Sequence, residues 1–377
     1  MEKRRKSMKQ TPSVEALFKP FSIGPLELSN RIVMAPMTRM FSPEGIPGED
    51  VEAYYRRRAE NGVGLIITEG TVINHPAAAS HPNIPRFYGE DALDGWSRIV
   101  QSVHKAGGRI IPQLWHVGTQ RAVGQTPNPE ALPIGPSGIT ADGLKVNEPM
   151  TKNEIDMVVD AFAQGAADAQ RLGFDGIELH GAHGYLIDQF FWEQTNQRKD
   201  EYGGGIVERT RFAVEIVKAC RDAVGPDFPI IFRFSQWKIR PFTAKLAYTP
   251  DELAQFLSPL VDAGVDVFHC STRRFWEPEF EGSSLNLAGW TKKITGKPVI
   301  TVGSVGLDSE FLSFFAEGKG AQNVNIDGLI ERLEHDEFDL VAIGRALLVD
   351  PAWAAKIRDG RVDELLPFTK EASKVLF

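Results

Sequence analysis

The chain has 377 residues, of which 42% are hydrophobic and 10% aromatic, so it can bury a large core and is not expected to be disordered. Its 42 basic and 50 acidic residues give a formal net charge of -8, which disfavours nonspecific attraction to nucleic acid or to an anionic membrane. We therefore expect a small-molecule partner, with no nucleic-acid and no membrane partner.

The cysteine content and the amino-terminal segment limit where the chain is expected to work. Cys220 and Cys270 are the two cysteines, and they have no CxxC spacing, which indicates neither a disulfide framework nor a cysteine-ligated cluster. Residues 1–12 are basic and no hydrophobic segment follows them, so an ordinary signal peptide is not expected. We predict a flexible basic tail over residues 1–12, one domain over residues 13–377 and a cytoplasmic location.

Short apolar runs alternate with helical patterns along the whole chain, in eight successive units. The predicted strand and helix of each unit are 32–35 with 49–60, 65–68 with 93–106, 110–114 with 155–172, 176–179 with 209–224, 230–234 with 250–263, 267–270 with 288–294, 299–302 with 308–316, and 340–343 with 351–358. Eight units of this kind predict an α/β fold, a single (β/α)8 TIM barrel, rather than an open doubly wound sheet. The long connections 118–150 and 272–287 are predicted to be rim loops.

The stretch 175–190 carries polar side chains of catalytic types just after the predicted strand 176–179. His180 and His183 could both donate to one acceptor oxygen, and the phenol of Tyr185 could supply a proton to a neighbouring atom. This arrangement suits the polarisation of a carbonyl group. Taken alone, the stretch is equally compatible with two hydrogen-bonded histidines in a glycine-rich turn beside a half-buried tyrosine.

The last two predicted strands end in the pairs Gly303-Ser304 and Gly344-Arg345. In a (β/α)8 barrel the phosphate site usually lies after these strands. Backbone amides of the two glycine turns can approach phosphate oxygens closely, and Arg345 adds a permanently charged fork. The sequence therefore predicts a phosphorylated ligand.

Five motifs in this order resemble the old yellow enzyme family of NAD(P)H:flavin oxidoreductases, also called FMN-dependent ene-reductases. They are NRIVMAPMTR at 30–39, QLWHVG at 113–118, HGAHGY at 180–185, NQRKDEYGG at 196–204 and GR at 344–345. The resemblance covers nearly the whole chain and implies a bound FMN over the barrel mouth, with NADPH or NADH as electron donor. The FMN contacts that it implies are Ala35, Pro36, Thr38, Gly70, Gln113, Arg233, Gly303, Ser304, Gly344 and Arg345.

The same resemblance implies the roles of the residues at 180–185. His180 and His183 would bind the oxygen of an electron-poor alkene substrate, and Tyr185 would protonate its α-carbon while hydride from reduced FMN reaches the β-carbon. No metal site is expected, because no third ligand at metal spacing accompanies the two histidines. Many relatives have Asn where this chain has His183, and both side chains donate hydrogen bonds.

Other functions of the same fold stay open from the sequence. A flavin-dependent amine dehydrogenase or demethylase would use the flavin in the oxidative direction, and a cofactor-free phosphosugar isomerase or aldolase would bind substrate phosphate at the glycine turns. A non-catalytic binding scaffold is a third alternative. The choice between NADH and NADPH, the physiological substrate and the oligomeric state also stay open, and a homo-oligomer is compatible with the sequence.

Overall fold

A computed structural model describes residues 13–239, 241–310, 313–314 and 317–377. Eight of its strands are parallel and close into a barrel, while β1 and β2 form an antiparallel hairpin. The strands are β1 (Phe21–Ile23), β2 (Leu26–Leu28), β3 (Ile32–Met34), β4 (Leu65–Val72), β5 (Ile110–Trp115), β6 (Ile177–His183), β7 (Ile230–Lys238), β8 (Val267–Ser271), β9 (Val299–Val302) and β10 (Leu340–Ile343). The barrel runs from β3 to β10 in chain order, and β10 pairs with β3.

Helices follow the strands and cover the outside of the barrel. They are α1 (Glu49–Glu60), α2 (Glu90–Lys105), α3 (Lys152–Leu172), α4 (Leu186–Phe191), α5 (Arg211–Val224), α6 (Pro250–Ala263), α7 (Leu287–Thr295), α8 (Asp327–Glu334), α9 (Arg345–Val349) and α10 (Trp353–Arg358). Helix α3 begins with a capping box between Thr151 and Glu154 and ends at Gly173, whose φ of 87° suits a left-handed cap. No helix of the described ranges is long and apolar enough to cross a bilayer.

Two apolar layers hold the barrel together. One lies between the strands and the helices, and the other fills the barrel interior. The interior layer includes Val33, Ile67, Ile111 and Ile231, and the hairpin residues of β1 and β2 pack against it. Because β3 follows the hairpin directly and the hairpin packs on the barrel interior, the hairpin closes the amino-terminal end of the barrel. Among the described residues, the carboxyl ends of the strands are the open end for a ligand.

The predicted (β/α)8 barrel is confirmed, while some of the predicted elements were misplaced. His180 and His183 lie within β6 rather than beyond a strand that ends at residue 179, because β6 stays paired with β7 as far as His183 and Lys238. The hairpin and the helices α4, α8 and α9 were not predicted.

The predicted helix 308–316 is wrong at its start, where Asp308, Ser309 and Glu310 are not helical. The carbonyl groups of Ser309 and Glu310 accept hydrogen bonds from Arg345, which competes with helical pairing. Residues 311–312 and 315–316 of that prediction, and the predicted tail 1–12, lie outside the described residues.

Candidate active site

The carboxyl ends of the barrel strands surround a cavity of about 460 Å³, a volume typical of small-molecule and cofactor sites. All the barrel strands except β4, or the residues directly after them, contribute to its wall, so the cavity lies over the barrel axis. The predicted site residues that line it are Ala35, Pro36, Thr38, Gln113, His180, His183, Tyr185, Arg233, Gly303, Ser304, Gly344 and Arg345.

Gly70 is the predicted site residue that does not line the cavity. It lies on β4 opposite Gln113, and a Cβ atom there would come within 2.5 Å of the Trp115 ring. The indole of Trp115 forms part of the cavity wall. The glycine therefore makes room for a side chain of the site, and its implied contact with FMN stays a prediction.

The ends of β9 and β10 form one pole of the cavity. The backbone turns sharply there, with φ of 145° at Gly303 and 52° at Ser304, and the Ser304 hydroxyl donates to the carbonyl of Arg273 at 2.9 Å. A side chain at Gly344 would meet the Met37 sulfur first, at 3.5 Å from its Cβ atom, so the space beside this glycine is open to a ligand.

Arg345 supplies the positive charge of this pole. The residue is 8% exposed, and its guanidinium donates to the carbonyls of Ser309 and Glu310, the latter at 3.2 Å. Burial lowers the pKa of Arg345 to about 10, so the side chain remains a cation at neutral pH. The open space beside the backbone of Gly344 and the buried cation of Arg345 fit a phosphate group.

Arg233 and Gln113 lie on the wall formed by β5 and β7. Arg233 is buried, its Nη2 contacts the Ser271 hydroxyl at 3.3 Å, and its Nε has no partner within the described ranges. Gln113 gives one amide hydrogen to Glu178 at 2.7 Å. A buried guanidinium with unused donors, beside an amide, fits a ligand edge that carries acceptor oxygens and nitrogens, as the pyrimidine ring of a flavin does.

His180, His183 and Tyr185 meet at one corner of the cavity. The ring centroid of His180 lies 5.2 Å from that of His183 and 5.0 Å from that of Tyr185. The Nδ1 atom of His180 accepts from the Ala182 amide at 3.3 Å, so the proton of a neutral ring is on Nε2. The Nε2 atom of His183 lies 2.8 Å from the Ser271 hydroxyl.

His183 adopts an unusual backbone conformation that the strand ends hold in place. Its φ is 66°, in the left-handed region that few residues other than glycine adopt. Its amide donates to the Ser235 hydroxyl at 3.0 Å, and its carbonyl accepts from Gln120 at 2.9 Å. The indole of Trp237 stacks on its imidazole with the ring centroids 4.3 Å apart. The ring is therefore fixed in direction before any ligand binds.

Burial sets the protonation states at this corner. It holds the pKa of His180 and of His183 well below the ordinary value of 6.5, and the positive charge of Arg233 acts in the same direction. Burial raises the pKa of Tyr185 to about 12. At neutral pH the corner therefore presents two neutral imidazoles and one protonated phenol.

Several residues of the site were missed in the sequence analysis. Ser271 directly follows the predicted strand 267–270, so the rule that strand ends carry function would have found it. Trp237 lies three residues beyond the predicted end of β7 and gave no such signal. Glu178 and His269 lie inside strands, where a polar residue becomes informative only once its burial is known.

Comparisons with known proteins agree with this geometry. The model of the NADH:flavin oxidoreductase / NADH oxidase family matches residues 16–364. The chain belongs to this family. The resemblance to the old yellow enzyme family is thereby confirmed, and with it FMN and NAD(P)H as the cofactors of the family.

Relatives of the chain differ in length and in the reactions for which they are named. The NADH oxidase of Thermoanaerobacter brockii is 37% identical over 361 residues, which cover 93% of this chain and 52% of that protein. The flavin oxidoreductase hxnT of Emericella nidulans is 32% identical, with 92% of this chain and 91% of that protein covered. A putative 12-oxophytodienoate reductase of rice, Oryza sativa subsp. japonica, is 42% identical over 226 residues, which cover 58% of this chain and 59% of that protein.

The fold of the family is also found among solved structures. Morphinone reductase in complex with tetrahydroNAD superposes with a TM-score of 0.76 at 29% identity, with 91% of this chain and 90% of that chain covered. The chain spans about half the length of the NADH oxidase that it matches.

Proposed function

We propose that the chain is an FMN-dependent NAD(P)H oxidoreductase that reduces the activated C=C bond of α,β-unsaturated carbonyl compounds. The observation that carries this proposal is the corner formed by His180, His183 and Tyr185, where two imidazoles and a phenol share one wall of the cavity. The family membership and the relatives named as 12-oxophytodienoate and morphinone reductases support it.

FMN is assigned to the cavity because the residues present fit it. Arg345 and the turns at Gly303 and Gly344 would hold its phosphate, and Arg233 and Gln113 would hold the pyrimidine edge of its ring. Ala35, Pro36 and Thr38 line the remaining wall. When bound, FMN supplies the hydride chemistry between NAD(P)H and the β-carbon of the substrate.

The two imidazoles would bind and polarise the carbonyl oxygen of the substrate. The Nε2–H of His180 is a donor, since its Nδ1 already accepts from the backbone. The Ser271 hydroxyl accepts from Arg233 and so can donate its own hydrogen to Nε2 of His183, which fixes the ring and leaves Nδ1–H as the available donor. Neutral donors suit this role, because they stabilise the charge that develops on the oxygen and do not transfer a full proton to it.

Tyr185 would give its proton to the α-carbon. Its ring packs edge-on against Trp115, with the centroids 4.8 Å apart, and against His180, so the phenol is held in the cavity wall. With a pKa near 12 the phenol keeps its proton at neutral pH, so the acid is in the correct state before each turnover.

Anaerobic half-reactions test the proposal. The purified protein is mixed with NADH or with NADPH, and bleaching of the flavin absorbance reports the first half-reaction. Oxygen-free 2-cyclohexen-1-one is then added, and we expect the absorbance to return as saturated ketone forms. A protein that NAD(P)H reduces but no enone reoxidises would contradict the proposal, and reduction of the flavin by an amine in place of NAD(P)H would favour the oxidative alternative.

A further inference from the structure

A buried carboxylate–imidazole pair lies in the barrel directly beneath the cavity. Glu178 on β6 and His269 on β8 are 0% exposed, and the Glu178 carboxylate lies 2.6 Å from the His269 Nδ1. Strand β7 separates these two strands in the barrel, so their side chains can meet only in the barrel interior. Toward the amino-terminal end the barrel interior is apolar, and both groups of the pair are shielded from water, which makes their burial costly.

The pair is connected to two residues of the cavity wall. The second carboxylate oxygen of Glu178 accepts from the Gln113 side-chain amide at 2.7 Å. Arg233 lies between the pair on β7, in register with His180 on one side and with His269 on the other. No carboxylate of the described ranges is within salt-bridge distance of Arg233. Glu178 therefore offsets the charge of Arg233 through space while it holds Gln113 by contact.

His269 supports the carboxylate as a neutral donor. Burial lowers the pKa of His269, so a single ring proton is present, and the short contact with Glu178 assigns it to Nδ1. The other nitrogen, Nε2, is buried and has no partner within the described ranges. A neutral ring leaves the negative charge of Glu178 uncancelled, so this charge acts on Arg233.

We propose that Glu178, supported by His269, is a positioning residue that orients Gln113 and limits the positive field of Arg233 at the ring of the bound flavin. The proposal rests on the proposed function, because it requires FMN in the cavity. FMN gains negative charge when it is reduced. The positive charge of Arg233 therefore stabilises the reduced form, and the negative charge of Glu178 destabilises it. Glu178 then keeps the reduction potential of the bound flavin lower than Arg233 alone would set it.

Glu178→Gln tests the proposal in the FMN-loaded protein through a spectroelectrochemical titration. The variant keeps the volume of the side chain and an acceptor for Gln113 but removes the charge. We expect its affinity for reduced FMN to rise relative to its affinity for oxidised FMN by at least about tenfold, which corresponds to a positive shift of about 30 mV for a two-electron couple. An unchanged potential in a folded, FMN-loaded variant would overturn the proposal.

Two variants of His269 test the same proposal if Glu178→Gln does not fold. His269→Asn places an amide donor close to the position of the lost Nδ1–H and should leave the potential near the wild-type value. His269→Leu removes the donor and should shift the potential in the same direction as Glu178→Gln. Equal potentials in the two His269 variants would contradict the supporting role of the imidazole.

A control comes from a second, more exposed carboxylate–imidazole pair, whose carboxylate lies just before the start of β6. Asp175 and His104 are joined at 2.8 Å at the amino-terminal end of the barrel, away from the cavity. Asp175→Asn should lower the melting temperature without moving the flavin potential, whereas an equal shift in this variant would identify a general effect of charge. A wild-type protein that binds no FMN would refute the proposed function itself, which is a different result from a bound flavin with an unmoved potential.

Discussion

The chemistry at the residue scale depends on protonation states that burial imposes. His180 and His183 are neutral at pH 7 and Tyr185 keeps its proton, because loss of water around the buried His180 and the half-buried His183 and Tyr185 disfavours the charged form of each ring. Two neutral donors and one protonated acid, the states that the proposed enone reduction requires, are therefore present together without a change of pH. Substitution of Tyr185 tests the role of its phenol, and binding of an anionic ligand tests the charge of the two histidines.

Replacement of Tyr185 by Phe separates the two half-reactions. Hydride transfer from NAD(P)H to the flavin needs no proton at a substrate carbon, whereas saturation of an enone needs one at the α-carbon. We expect Tyr185→Phe to slow enone reduction by about 10²- to 10⁴-fold, the usual cost of losing a general acid, and to leave flavin reduction nearly unchanged. Rapid-mixing absorbance measurements report both rates.

Quinone reduction is the internal control for this variant, because it needs no protonation of carbon. It should persist in Tyr185→Phe and so report correct folding and flavin binding. If an enone reoxidised the variant flavin at the wild-type rate, Tyr185 would not be the proton donor, and water or His183 would be tested next.

The binding of a phenolate measures the charge of the two histidines. A phenol acidified by electron-withdrawing ring substituents binds as the phenolate across the range in which an ordinary imidazole titrates, so a change of its affinity across this range reports a change of charge in the protein. Because both imidazole pKa values lie well below 6.5, we expect similar affinity at the two ends of the range and a charge-transfer band that weakens in His180→Ala. Markedly tighter binding at the acidic end would show that an imidazole becomes a cation there.

Site residues that belong to a family motif could be predicted from the sequence, and site residues outside such motifs could not. The motif at 180–185 and the glycine pairs after the last two strands led to side chains that share one cavity. Glu178 and His269 occur inside apolar strands, and only the closed barrel brings them together across β7. The position of Gly70 also required the structure, since its closest neighbour, Trp115, is on another strand.

At the element scale, the turn that carries His183 and Tyr185 is held by a buried ion pair. Asp188 of α4 accepts from the Gly184 amide at 2.6 Å and from the Lys238 ammonium at 2.7 Å, and the side chains of Asp188 and Lys238 are 0% and 1% exposed. Lys238 ends β7 and pairs with His183 in the barrel. The pair thus joins β7, the turn and α4 at one point.

Asp188→Asn should be strongly destabilising, because it leaves the Lys238 ammonium buried without a counter-charge. We expect a loss of about 3–5 kcal/mol in the free energy of unfolding, measured with denaturant. Glu60→Gln is the control, since it breaks an exposed pair with Arg56 on α1 and should cost less than about 1 kcal/mol. Similar costs for the two variants would contradict the importance assigned to the buried pair.

Gly70→Ala tests the packing of β4 against Trp115. The added Cβ would lie 2.5 Å from the ring, so the ring or the strand must shift, at a cost of about 1–3 kcal/mol. Thermal unfolding and tryptophan fluorescence report the cost and the shift. Gly328 of α8 has open space around it, and Gly328→Ala should leave stability equal or slightly higher. A Gly70→Ala protein as stable as this control would show that the Trp115 ring or β4 can shift without a cost in stability.

Elements with clear periodicity were predicted better than elements shaped by side-chain contacts. Helix α6 (Pro250–Ala263) and strand β10 (Leu340–Ile343) have the predicted bounds, because their apolar spacing and caps are local in the sequence. The start of the predicted helix 308–316 is not helical, because Arg345 binds the carbonyls there from a distant part of the chain. A contact of that kind leaves no local pattern.

At the scale of the whole molecule, the hairpin and the closed barrel leave one end for a ligand. The hairpin of β1 and β2 packs on the apolar interior, and a polar layer with Glu178 and His269 lies between that interior and the cavity. Alternation of strands and helices predicted the barrel, but the closure of its amino-terminal end by a hairpin was visible only in the structure. The central claim is that the open end binds FMN.

The absorption spectrum of the purified protein tests this claim most directly, with the flavin released by denaturation and identified by mass. We expect a yellow protein with close to one FMN for each chain, and a largely colourless Arg345→Ala variant, because that side chain supplies the buried cation where we propose that the phosphate binds. A colourless wild-type protein that gains no flavin band on incubation with FMN, or full FMN occupancy in Arg345→Ala, would contradict the assignment of the cavity.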